Sequence, residues 1–321
     1  MKPIESVPLE AIQNARKRIS DLATRTPLVR LNLDDGPADI YLKLENLQPI
    51  GSFKLRGAGN ALLSIPRANL QQGVYTASAG NMAQGVAWVA RKLDIPCSVV
   101  VPDHAPRTKL DAIARLGGRV IKVSFDEWWQ VLIEHRYEGL DGFFIHPVSD
   151  PAVIAGNGTI GLEIMEDLPD LEAVVVPFGG GGLISGIASA LRSLKPHVKV
   201  FASEVETAAP LSASLKAGHM CEIDRRPSFV DGIGGKSILK EMWPIVSSLV
   251  KESLVVSLAQ VADAIRMLIE HNRVVAEGAG ASSVAAALTG GAGRGKVVCI
   301  VSGGNIDAPS LLRILGGEIP K

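Results

Sequence analysis

Aromatic residues are scarce in this chain, 4% of 321 residues, although hydrophobic residues make up 47%. Its core must therefore be built from Val, Ile, Leu and Ala, the residues of parallel strands buried on both faces. Neither sign of charge is in excess: Lys plus Arg and Asp plus Glu number 33 each, with no long run of one sign. A nucleic-acid or anionic-membrane partner needs a basic face, so neither is expected. Cysteine is also rare. Cys97, Cys221 and Cys299 lie far apart with no CxxC spacing, and Cys97 and Cys299 fall in apolar strand-like runs as small buried hydrophobes. No apolar stretch reaches transmembrane length, and residues 1–23 are charged and amphipathic rather than signal-like. A cytoplasmic protein is the expectation.

The length suffices for two α/β lobes. Short β-branched runs at residues 40–44, 73–77, 98–102, 119–123, 142–146, 173–177, 199–204 and 296–302 alternate with helical periodicity at 81–93, 107–116, 151–166, 183–194 and 258–271. This alternation predicts right-handed βαβ crossovers and largely parallel sheets. Ligands of such sheets collect at the carboxyl ends of the strands. Three small-residue turns fall there: Ser78-Ala79-Gly80-Asn81, Gly179-Gly180-Gly181-Gly182, and Ser302-Gly303-Gly304-Asn305.

The four glycines lead from an apolar strand into an apolar helix, whose first amides make a phosphate seat. The loop lacks GxxxxGK[ST], which excludes a nucleotide P-loop. Read as G-x-G-x-x-S, with Glu204 after the next strand, it also suits a nicotinamide dinucleotide, although the third glycine is missing. Lys54 favours the other cofactor. Flanked by Gly51, Ser52 and Phe53 at the start of an apolar helix, it is sheltered enough to be neutral part of the time, as a Schiff-base lysine requires. A phosphate loop with a sheltered lysine suggests pyridoxal phosphate.

At these residues the sequence resembles the fold-type II pyridoxal-phosphate enzymes, in the threonine/serine dehydratase (ammonia-lyase) group related to serine racemase. The likeness runs from Thr26-Pro27-Leu28 through Gly51 to Ala58, Ser78 to Asn81, His146-Pro147, Ile154 to Thr159, Gly179 to Gly182 and Glu277 to Gly280, ending at Ser302 to Asn305. It implies a tryptophan synthase β-like α/β fold of two open parallel-sheet lobes with the active site between them. A large cofactor-binding domain would comprise residues 1–45 and 146–321, and a small mobile domain residues 46–145. It also implies roles. Lys54 carries pyridoxal 5'-phosphate and removes the α-proton, Phe53 packs on the ring, and Asn81 meets its phenolic oxygen. Gly179, Gly180, Gly181 and Gly182 hold the phosphate, Ser302 meets the pyridine nitrogen, and Glu277 lies near the ring. Ser78, itself also a candidate catalytic residue, joins Ala79, Gly80, Asn81 and Met82 around the substrate carboxylate. The reaction implied is β-elimination from L-threonine or L-serine to a 2-oxo acid and ammonia, in a homodimer or homotetramer. Because the chain ends soon after Ser302, no C-terminal effector domain is expected.

Several positions depart from the pattern. Ala79 stands where the racemases carry a second serine, so racemisation is the weaker alternative. Met82 replaces a histidine, and Val148 a larger residue. Either they line an apolar, roomy pocket that leaves phenylserine open as a substrate, or they belong to the core. Hydroxyaspartate is less natural, since no extra basic residue marks these loops. Glu204 and the Ala208 carbonyl match a divalent-cation site of some relatives, for Mg2+ or Ca2+, but Pro210 stands where an Asp ligand would be. The alternative is an acid serving a helix start. His146 reads as a satisfied structural histidine.

Overall fold

A run such as Ala173-Val174-Val175-Val176-Pro177 has no polar face and is stable only with both sides covered. The computed structural model, which describes residues 3–320, contains two sheets that meet this need. In chain order the strands are β1 (Leu28–Arg30), β2 (Asp39–Leu44), β3 (Val74–Ala77), β4 (Cys97–Pro102), β5 (Arg119–Val123), β6 (Phe143–Phe144), β7 (Ala173–Pro177), β8 (Lys199–Val205), β9 (Glu252–Val256) and β10 (Lys296–Val301). The larger sheet has the order β1-β2-β10-β7-β8-β9 and the smaller β5-β4-β3-β6. Among the described residues the named strands all pair in parallel except β1 with β2. The expected α/β class, with two parallel-sheet lobes, is what the chain forms.

Alternation along the strands builds two cores on the larger sheet. Val174, Val176, Val298 and Ile300 face the helices Pro151–Asp167 and Gly182–Leu194, while Ala173, Val175, Val297 and Cys299 face Leu258–Asn272 and Gly278–Leu288. The smaller sheet repeats the arrangement, with Val99 and Val101 on one side and Val100 on the other. Cys97 and Cys299 are buried free thiols, as their apolar runs predict. The strands β1 and β9 go beyond the sequence expectation. One has only three residues, and the other is an edge strand with Glu252 and Val255 exposed. Among the described residues no helix is long and apolar enough to cross a membrane.

The carboxyl ends of β2, β3, β7 and β10 feed residues 45–54, 78–81, 178–182 and 302–305 respectively. The helix Lys54–Ser64 packs between Asn81–Lys92 and Pro151–Asp167. Its approach to the latter is so close that a Cβ at Gly156 would stand 2.3 Å from the Arg56 carbonyl oxygen.

Candidate active site

The Lys54 helix starts on the loop that follows β10. The amide of Phe53 donates to the Ser302 carbonyl at 3.0 Å, and the amide of Gly304 donates to the Gly51 carbonyl at 2.9 Å. Gly51 is left-handed at φ 72°, and a Cβ there would press to 2.6 Å from Asn305 Oδ1, so this turn requires glycine. Lys54 Nζ donates to the Pro147 carbonyl at 2.8 Å and lies 5.3 Å from the centre of the Phe53 ring. Burial pushes its amine down to about 8. A neutral carbonyl, unlike a carboxylate, leaves that amine ready to lose its proton.

Two helix starts open beside it. The helix Gly182–Leu194 has Gly181 at its N-cap and no side-chain acceptor there, so its first amides are free for an anion. Val148, next to the acceptor of Lys54, packs on this loop; a Cβ at Gly180 would lie 2.5 Å from Val148 Cγ2. The helix Asn81–Lys92 likewise starts without a side-chain cap. A Cβ built on Gly80, its N-cap, meets nothing within 4 Å, so open space adjoins these amides. Ser78 Oγ accepts from the Gly80 amide at 3.2 Å, and Ala79 offers only a methyl group. Met82 is different. Its side chain is 1% exposed and packs in the core of the smaller sheet, so it does not line an open pocket.

Asn81 joins the two lobes. Its Nδ2 donates to Glu277 Oε1 at 2.8 Å, and its Oδ1 accepts from Asn305 Nδ2 at 2.8 Å. Asn305 also donates to the Ile50 carbonyl at 2.9 Å, a bracing role that the sequence did not reveal. Burial, then the nearby Asp231 carboxylate, push the Glu277 carboxyl up to about 7, against the Asn81 hydrogen bond. A carboxyl whose pKa is higher folded than unfolded binds its proton more tightly in the fold. Its stabilising contribution is full below the unfolded value of 4.5 and is lost as pH rises through about 7. Glu277→Gln removes this penalty while keeping an acceptor for Asn81. The melting temperature of the cofactor-free protein should therefore rise more at pH 8 than at pH 5; equal shifts at both would contradict the assignment.

The sequence pattern of the pyridoxal-phosphate dependent enzyme family matches residues 19–303. The chain belongs to that family. The L-threonine ammonia-lyase of Thermotoga maritima is 43% identical over 320 residues, covering 98% of this chain and 80% of that protein. The catabolic L-threonine dehydratase TdcB of Escherichia coli is 38% identical over 318 residues, covering 97% of this chain and 96% of that one. Among solved structures, maize serine racemase superposes with a TM-score of 0.88 at 30% identity, over 97% of this chain and 98% of that one. The processed form of threonine deaminase isoform 2 from Solanum lycopersicum does so at 0.87 and 33%, over 98% and 91%.

The residues present fit the family's cofactor. An aldehyde needs an amine that can lose its proton, as burial makes easier for Lys54, and a phosphate needs free amides, such as those at the uncapped start of the helix Gly182–Leu194. Ser52 Oγ, two residues before Lys54, is buried with no hydrogen-bond partner, a polar atom awaiting a ligand or water. Ser302 is 3% exposed beside Phe53. Glu204 does not suit the nicotinamide alternative. It is buried, its Oε1 accepting from the Leu211 amide at 2.9 Å and its Oε2 from the Ser212 amide at 2.7 Å and Ser253 Oγ at 2.6 Å. The same bonds place it at the start of the helix Pro210–Ala217, the alternative role that the sequence offered.

Proposed function

We propose that this enzyme uses pyridoxal phosphate to release water and ammonia from L-threonine or L-serine, leaving a 2-oxo acid. The observation that carries the reading is Lys54, whose amine is bonded to no carboxylate among the described residues and donates to the neutral Pro147 carbonyl, beside the Val148 that packs on the glycine loop. The threonine ammonia-lyase and dehydratase names of the relatives support it.

Bound here, the cofactor supplies an electron sink that acidifies the substrate's Cα–H bond and promotes departure of the β-hydroxyl. Amides of Gly179–Gly182 would hold its phosphate, Phe53 its ring, Asn81 its phenolic oxygen and Ser302 its pyridine nitrogen, with Glu277 behind Asn81. The hydroxyl of Ser302 cannot keep that nitrogen protonated as an Asp would, which favours elimination over transamination. Ser78 and the amides of Ala79, Gly80, Asn81 and Met82 would take the substrate carboxylate, orienting the Cα hydrogen toward Lys54 Nζ, which removes it. Closure of the smaller lobe would exclude water. A homodimer or homotetramer in the cytoplasm completes the reading.

The test is oxo-acid release from each amino acid by protein whose visible absorbance bleaches with borohydride. Racemised serine without oxo acid would overturn it in favour of the racemase alternative. Ala79 makes that outcome unexpected, because a methyl group cannot pass a proton to the opposite face of Cα. Ala79→Ser supplies a hydroxyl there. It should raise D-serine formation from L-serine by about tenfold or more, read by chiral chromatography.

A further inference from the structure

His146 lies outside the chemistry assigned above, yet it is 2% exposed and fully bonded. Its Nδ1 accepts from the Val148 amide at 3.1 Å and the Ser149 amide at 2.8 Å, with Ser149 Oγ at 3.0 Å, while Nε2 faces the Leu132 carbonyl at 3.2 Å. A ring nitrogen that receives two amide protons must offer its lone pair, so the proton sits on Nε2, donated to Leu132. Burial and the His135 ring stacked on it at 4.1 Å push the imidazole down to about 3, in keeping with a permanently neutral ring. Accepting from the amides two and three residues ahead is what an Asn or Asp side chain does in a turn.

That turn meets both working parts of the site. Pro147 gives its carbonyl to Lys54 Nζ at 2.8 Å, and Val148 packs its side chain over Gly180. The Val148 carbonyl also lies against Gly182, where an added Cβ would come within 2.8 Å of it.

From this geometry we infer that His146 is a positioning residue: its Nδ1 folds the turn at Pro147 and Val148 that fixes the Lys54 amine relative to the glycine loop. The inference rests on Lys54 being the working amine, as proposed above. Pro147 gives that amine one resting place whenever it is free, without the charge that would hold it protonated. Val148 keeps the loop at a set distance from it.

The experiment compares His146→Leu, which removes the acceptor, with His146→Asn, which restores an oxygen near Nδ1 while both variants lose the Nε2 donor. In the holoenzyme His146→Leu should lower kcat about 10²-fold, the order of loss when a reacting group is misplaced by an ångström, with KM nearly unchanged. Its affinity for added pyridoxal phosphate should fall about tenfold, a loss of 1.4 kcal/mol. His146→Asn should recover most of both losses. An Asn variant that is folded but as slow as Leu would overturn the inference and make the imidazole a proton carrier. A Leu variant with the kcat and cofactor affinity of the parent would overturn it too. If the Leu variant does not fold, the ¹⁵N shifts of the unaltered holoenzyme decide: Nε2–H with a bare Nδ1 from pH 6 to 8.5 is expected, and a titrating or Nδ1-protonated ring overturns the inference. These shifts, and cofactor affinity, read out whatever the substrate is. Failure of the parent to release oxo acid would sink the proposed reaction without touching them.

Discussion

Lys54→Ala should lower oxo-acid release from threonine and serine about 10⁴-fold, the upper range for loss of a positioned general base. The amine serves twice in the proposed reaction, first as the cofactor's anchor and then as the base at Cα. No neighbour is placed to substitute. Both ring nitrogens of His146 are occupied, Glu277 is bonded to Asn81, and Ser78 Oγ accepts from the Gly80 amide. Arginine does not rescue the site, since its guanidinium keeps its proton. The glycine loop would remain intact, so the variant should still bind the cofactor, but borohydride should no longer fix it covalently to the chain. Residual kcat within tenfold of the parent, measured as oxo acid released per bound cofactor, would remove Lys54 from the chemistry.

What the sequence disclosed was local. Gly179–Gly182 and Ser78–Asn81 each sit on a short turn next to a strand whose apolar residues announce it, so their placement at the carboxyl ends of strands in the two sheets followed from the βαβ order. Bonds between distant segments were not legible. Asn81, Glu277 and Asn305 come from three separate loops, and nothing local marks Asn305 as a brace. Glu204 is similar, its acceptors being satisfied from residues 211, 212 and 253. Met82 was readable in principle. With Val86 and Val89 it lies on the apolar stripe of its helix, at the spacing of a core face, and that face is where it is buried. The helix Lys54–Ser64, which the expected small domain includes, is bound to Ser302 through Phe53 and to Glu163 through Arg56, links to the larger sheet that local sequence does not show.

Arg56→Met should destabilise the fold by about 3–5 kcal/mol, the usual cost of removing one partner from a buried ion pair. The guanidinium is 2% exposed and reaches two carboxylates with its fork. Nε and Nη2 meet Glu45 at 2.8 and 2.9 Å, and Nη1 and Nη2 meet Glu163 at 2.6 and 2.8 Å. Lys43, also buried, pairs with Glu163 at 2.6 Å, so two positive and two negative charges balance in a buried site. Without Arg56 that balance leaves one carboxylate uncompensated. Burial works against the charge on Glu45, but the charge and hydrogen bonds of Arg56 prevail and hold its carboxyl below the usual 4.5. A depressed carboxyl contributes stability above its unfolded pKa and loses it as pH falls through the folded one, so the penalty should be full at neutral pH and shrink in acid. Arg56→Lys should recover only part of the loss, because a single ammonium cannot reproduce two bidentate contacts. In thermal unfolding at pH 7 the Met variant should melt about 5–10 °C lower. A shift too small to measure would mean that the four charges contribute no net stability and that packing alone holds the Lys54 helix in place.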